Sequence, residues 1–199
     1  MLHFFTGINK PSLVSYHSDI VKQKYLLKLY TPLMHRFLSS VDHIVAASPN
    51  YMKSSAVLTK FKDKSSVIPY GLDRNSYATA STEKIKFWAN KFGPRFFLFV
   101  GVIRYYKGLH FLLDAARNSD YPIVIVGSGP IERELKDRAK ELGLDNVHFV
   151  GQLPDEDKRA LLELCYTFVF PSHLRSEAFG ISLLEAAMYG KPMISCEIG

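Results

Sequence analysis

Cysteine is nearly absent from this chain. Cys165 and Cys196 are the only two, with no metal-ligand spacing, and so low a usage fits a reducing compartment. Long apolar runs are missing too: none approaches the ~20 residues of a membrane span. The start, MLHFFTGINKPS, lacks the basic region, apolar core and cleavage site of a signal peptide, so the expected location is cytoplasmic. No G-x-S-x-G, H-E-x-x-H or Walker A sequence occurs, which leaves serine-hydrolase, zinc-protease and P-loop chemistry without support. VGSGPIE, Val126–Glu132, begins like the dinucleotide fingerprint G-x-G-x-x-G but has Glu132 where the last glycine belongs, so an NAD site is disfavoured.

Acid is scarce in the first third. Up to Lys64, nine lysines and arginines face only Asp19, Asp42 and Asp63, so the whole net charge of +6 resides there. Such a surface suits a phosphate-bearing substrate or anionic lipid. Nucleic acid is not expected, because no zinc pattern, RNP-like aromatic signature or Arg-rich run accompanies the charge. The Lys22, Lys24, Tyr25, Lys28 and Tyr30 stretch reads either as a helix lying on an anionic membrane surface or as an ordinary solvated face.

What is present is alternation. In the second half, strand-like segments (95–101, 121–127, 146–151, 167–171 and 192–196) alternate with helix-like ones (109–118, 130–143 and 154–165). Pro130 is expected at the first helical position of the second of these, with Glu132–Lys136 and Glu134–Arg138 as i,i+4 pairs. The first third repeats this grammar more briefly. Ser12–His17 reads as a strand, Val21–Ser40 as a helix interrupted by Pro32, 42–48 as a strand, a Ser48-capped helix follows with Pro49 at its first position, and 65–73 holds a short strand. Apolar strands linked by helices imply a parallel sheet covered on both faces, with ligands at the carboxyl ends of the strands. Chemistry is therefore expected in the loops after Val100, Val126, Val150 and Phe170.

Those loops carry the informative residues. PSHLRSEAFGISLLEAAMYGKP places Glu177 and Glu185 on either side of Phe179-Gly180-Ile181-Ser182. Ser182-Leu-Leu-Glu185 is a capping-box pattern and Gly190-Lys-Pro192 a helix end, which explains Glu185 but not Glu177. A carboxylate beside free N–H groups at a helix start suits a ligand with hydroxyls and negative charge. FVGVIRYYKG places Arg104 and Lys107 after a strand, suited to a diphosphate or else simply solvated. His17 closes the first strand, where a phosphate or sugar contact and a structural role are equally open.

Together these residues resemble the retaining, nucleotide-sugar-dependent glycosyltransferases of the GT-B fold, in the glycosyltransferase group 1 family. Glu177-(seven residues)-Glu185 with Phe179-Gly180 inside looks like that family's E-x7-E motif, and HSD, SPNY, IPYGLD, GVIRYYKG, IVGSGP, VGQLP and FPS precede it in the family's order. The variant is most similar to bacterial enzymes building O-antigen, capsule or exopolysaccharide. The resemblance implies an α/β fold of two Rossmann-type lobes: a partial acceptor lobe over 1–75, a linker over 76–91 and a donor lobe over 92–199 lacking its end. It implies that Glu177 holds donor-sugar hydroxyls, that N–H groups of Phe179, Gly180, Ile181 and Ser182 meet sugar and phosphate, and that Glu185 bonds the ribose. Arg104 and Lys107 would neutralise the diphosphate, Gly151, Gln152 and Leu153 would line the base pocket, and His17 would reach in from the other lobe. The family often has Arg directly after the strand-end glycine; here Val102 follows Gly101, leaving open whether Arg104 or Lys107 alone binds phosphate.

The implied reaction is transfer of a hexose, mannose favoured, from a GDP- or UDP-sugar to a growing glycan or lipid-linked glycan with retention of configuration. No metal or resident cofactor is implied, and peripheral contact with the inner membrane is. A non-catalytic nucleotide-sugar-binding remnant or partner subunit is the alternative.

Overall fold

Runs of β-branched and aromatic residues bounded by Gly, Pro and Ser set the strands of two separate parallel sheets. The structure, a computed structural model, describes residues 10–19, 24–174, 176, 177 and 179–197. They fall into two compact units. One extends to Gly71 and takes in loop residues 176, 177 and 179; the other comprises Leu72–Leu174 and continues from Gly180.

The first unit has a three-stranded parallel sheet of order β1-β2-β3, from β1 (Leu13–Tyr16), β2 (His43–Ala46) and β3 (Ser65–Val67). Helix α1 (Lys24–Ser40) contains Pro32 and exposes Leu29 and Leu33, while Met34 and Leu38 turn inward against Val41 and Ile44. The expected start of this helix at Val21 lies outside the described residues. Helix α2 (Pro49–Ser54) begins as its sequence demands, with Ser48 Oγ accepting from Tyr51 N at 3.0 Å and Pro49 at the first position. A further short helix, α3 (Ala56–Lys60), carries Leu58 into the same core.

In the second unit, α4 (Thr82–Phe92) precedes β4 (Phe97–Val100), α5 (Leu109–Ala116), β5 (Ile123–Val126), α6 (Glu132–Glu141) and β6 (Val147–Gly151). Then come α7 (Asp155–Leu164), β7 (Thr167–Phe170), α8 (Ile181–Met188) and β8 (Met193–Ser195). All the strand pairings are parallel and the order is β6-β5-β4-β7-β8. Alternation along each strand divides the core. Phe99, Ile123, Ile125 and Val169 pack with α5 and α6 on one face, and Leu98, Val100, Val124, Val126, Phe168 and Phe170 with α4 and α7 on the other. Each such apolar side chain contributes about 1.5–3 kcal/mol on burial.

Three expectations need correction. Residues 82–91, expected within a linker over 76–91, belong to α4, whose Ser81 cap and inward Trp88 and Phe92 tie it to the second core. Pro130 lies in the turn before α6, not at its first position, because Glu132 N closes that turn on Gly129 O at 3.1 Å. Lys136 pairs with Glu132 as expected, at 2.7 Å, but Arg138 donates to Asp114 of α5 rather than to Glu134.

Candidate functional site

Because β4 and β7 are neighbours and the sheet winds outward from them in both directions, their carboxyl ends form a topological switch point, where such sheets open a crevice. The loops leaving those ends touch. His173 N donates to Tyr106 O at 3.1 Å, and a Cβ on Gly108 would sit 2.0 Å from Pro171 O. Gly108 also has φ +67°, so both its conformation and its neighbour require glycine.

The β4 loop separates the two expected cations. Lys107, 8% exposed, has Nζ 4.8 Å from the ring centre of Phe170 and 5.6 Å from that of Tyr106. Arg104 opens the 3₁₀ turn Tyr105–Lys107 and is exposed to solvent. Of the two, Lys107 is the buried one.

Beside it, Gly101, Val102, Gly127, Ser128, Gln152 and Lys158 are among the residues lining a cavity of about 310 Å³. Leu153 lines it too, and Gly151 ends β6 just before Gln152, so the expected base-pocket residues gather at one opening. A second cavity of about 240 Å³ shares Val100 and Lys158 with the first and is lined by Ser76, Tyr77, Asp155, Arg159 and Glu185. Its charges are mixed. The Asp155 carboxyl is held below its ordinary range by a hydrogen bond and charge from Lys158, while Arg159 Nε is buried without a hydrogen-bond partner among the described residues.

Helix α8 starts at Ile181 with Gly180, in left-handed conformation, as N-cap. No side-chain hydrogen bond caps it, so Ser182 is the second helical residue and the expected capping box does not form. Glu185 instead accepts a hydrogen bond at Oε1 from the Tyr77 hydroxyl, 3.1 Å away. The helix end follows the sequence: Gly190 N donates to Ala187 O and Lys191 N to Ala186 O, the Schellman pattern.

In the first unit, His17 is exposed and its Nδ1 lies 2.9 Å from the Tyr70 hydroxyl. Tyr70 also meets the Phe179 ring edge to face at 5.2 Å. Asp19 is structural: it accepts from Tyr16 Oη at 3.1 Å and from Ser55 Oγ at 2.9 Å, and Ser55 in turn caps α3. Glu177 is half-buried in the loop joining β7 to α8. Among the described residues no three His, Cys, Asp or Glu side chains gather to hold a metal ion, and no helix is long and apolar enough to cross a membrane.

The site also contains residues that the sequence did not single out. Asp155, Lys158 and Arg159 belong to the first turns of α7, where three consecutive acids read only as a helix start. Tyr77 carried no signal at all, being 108 positions from its partner.

Residues 81–199 match the family model for glycosyl transferases group 1. The chain belongs to that family. This group 1 glycosyltransferase chain is 65% identical over 199 residues to the D-rhamnosyltransferase WbpZ of Pseudomonas aeruginosa, covering all of this chain and 52% of the relative. It is 57% identical to the O-antigen chain mannosyltransferase C of Escherichia coli, covering all of this chain and 53% of that relative. The chain therefore spans about half the length of these curated relatives. Among solved structures, Anabaena HepE in complex with UDP-glucose superimposes with a TM-score of 0.75 over 93% of this chain and 53% of that one, at 22% identity. The fold of this group 1 chain is that of the GT-B glycosyltransferases.

Proposed function

We propose that the protein transfers a hexose from a nucleoside-diphosphate-sugar to a growing cell-surface polysaccharide or lipid-linked glycan, with retention of configuration. The observation that carries this reading is the crevice at the ends of β4 and β7, where a buried ammonium, Lys107, shares one sheet edge with the N-terminus of α8. A diphosphate leaving the sugar gains about one negative charge, and preorganised cations and N–H groups stabilise that charge without reorganising. Glu177 grips sugar hydroxyls, Glu185 the ribose, and the residues around Gln152 the base. Exposed Arg104 meets the phosphates from the solvent side. Positioning and charge stabilisation then supply most of the rate, with the departing diphosphate available as the base for the acceptor hydroxyl. No metal is required in this scheme.

Two names favour a six-carbon donor sugar of the mannose kind: the relatives are a D-rhamnosyl- and a mannosyltransferase of polysaccharide synthesis. The nucleotide-sugar donor is favoured by the UDP-glucose complex of the HepE neighbour.

Substitution separates the roles. Lys107→Ala is expected to weaken GDP or UDP and their sugars alike, by about tenfold or more for loss of one charge-assisted contact. Glu177→Ala is expected to weaken the nucleotide-sugars while leaving the bare diphosphates within about twofold. Calorimetry that finds Glu177→Ala weakening both ligand types equally would assign Glu177 a structural role and remove the sugar contact from the scheme.

A further inference from the structure

Glu185 is not left to find its own orientation. Its Oε1 accepts the Tyr77 hydroxyl hydrogen at 3.1 Å, and both side chains line the 240 Å³ cavity that also holds Asp155, Lys158 and Arg159. Tyr77 is itself fixed by its surroundings. Its ring meets Tyr189 edge to face at 6.4 Å, and the Tyr189 hydroxyl donates to the carbonyl of Ala78 at 3.4 Å. Two residues further on, Ala80 N donates to Glu163 Oε1 at 2.7 Å, anchoring the segment to α7. Residues 77–80 therefore form a strap across α7 and the end of α8, carrying one phenol to one carboxylate.

We propose that Tyr77 is a positioning residue for donor binding: by occupying one lone pair of Glu185 Oε1 it holds the carboxylate so that its remaining lone pairs accept from the ribose hydroxyls. This rests on the reading of Glu185 as the ribose contact. The physical reason is entropic and geometric. A free glutamate loses rotamer freedom when immobilised, and binding is tighter when that ordering precedes the ligand. A carboxylate accepts at two oxygens and has about four lone-pair sites, so one bond to Tyr77 leaves capacity for two hydroxyls. The phenol remains a donor throughout the usable pH range, because burial and, secondly, the charge of Glu185 push it up to about 12.

The test compares ribonucleotides with analogues that lack the hydroxyls. Tyr77→Phe, the isosteric change, is titrated with GDP and UDP and with 2′,3′-dideoxy-GDP and 2′,3′-dideoxy-UDP, alongside Glu185→Ala and the unchanged protein. The expected result is about a tenfold loss for the better-bound ribonucleotide in Tyr77→Phe, with its dideoxy analogue changed by less than twofold, since only the former uses Glu185. Equal losses for both ligands would make Tyr77 merely structural, and an unchanged ribonucleotide affinity would remove it from binding; either overturns the proposal. If Glu185→Ala still prefers ribo- over dideoxynucleotide as strongly as the unchanged protein, the ribose reading of Glu185 fails and Tyr77 falls with it. If Glu185→Ala loses that preference while Tyr77→Phe keeps it, the ribose reading stands and only the role of Tyr77 is lost.

Discussion

At the scale of single residues, the crevice is built as much by what is missing from Gly108 as by the charge of Lys107 beside it. A methyl group at Gly108 would meet Pro171 O at 2.0 Å and Pro171 C at 2.9 Å, both backbone atoms that cannot step aside. Gly108→Ala is therefore expected to lose about 3 kcal/mol, from overpacking and from left-handed backbone strain together. Urea titration of the variant measures the loss; a midpoint shift worth under about 0.5 kcal/mol would mean that the two loops do not abut as described. Lys107 stands out in the sequence because it follows a strand-end glycine, and Glu185 because seven residues separate it from Glu177. The sequence also offered Arg104 as an equal partner, whereas the fold buries Lys107 and leaves Arg104 in solvent. Ring contacts with Phe170, on a different strand, make that difference, and one-dimensional spacing does not contain them.

At the scale of elements, β4, β5 and β7 follow their apolar runs closely, since buried parallel strands need continuous Val, Ile and Phe, whereas β6 is half-buried and β8 is exposed. Helix α4 is the instructive miss. Its signals were present: Ser81 as cap, Ile85, Trp88 and Phe92 at helical spacing, and Gly93 at the end. The stretch nevertheless reads as a joint, because it lies between two sheets. Its attachment is specific, with Trp88 Nε1 donating to Asp157 Oδ1 at 2.9 Å and Lys84 pairing with the same carboxylate at 3.0 Å. Asp157 is only 5% exposed, so Asp157→Ala leaves the buried indole N–H without an acceptor and is expected to cost about 2–3 kcal/mol. Combining it with Trp88→Phe should recover part of that loss in a thermal or urea melt, because the orphaned donor disappears. Strict additivity of the two changes would contradict the bond's role.

At the scale of the molecule, two parallel sheets, one of three strands and one of five, share one chain. The five-stranded unit holds both cavities and the switch-point crevice. The three-stranded unit holds His17, within the basic first third of the sequence. The family, the α/β class and the parallel sheets were legible, because they rest on periodicity and on an ordered series of short motifs. The strap that brings Tyr77 to Glu185 was not, because nothing local distinguishes a tyrosine that closes a cavity from one that rests on a surface. The central claim is that the five-stranded unit carries a donor site for a nucleoside-diphosphate-sugar, and calorimetric titration of the unchanged, folded protein with a panel of GDP- and UDP-sugars tests it most directly. Saturable binding of at least one nucleotide-sugar, weakened about tenfold or more in Lys107→Ala, is the result expected; no binding of any member by protein shown to be folded would contradict it.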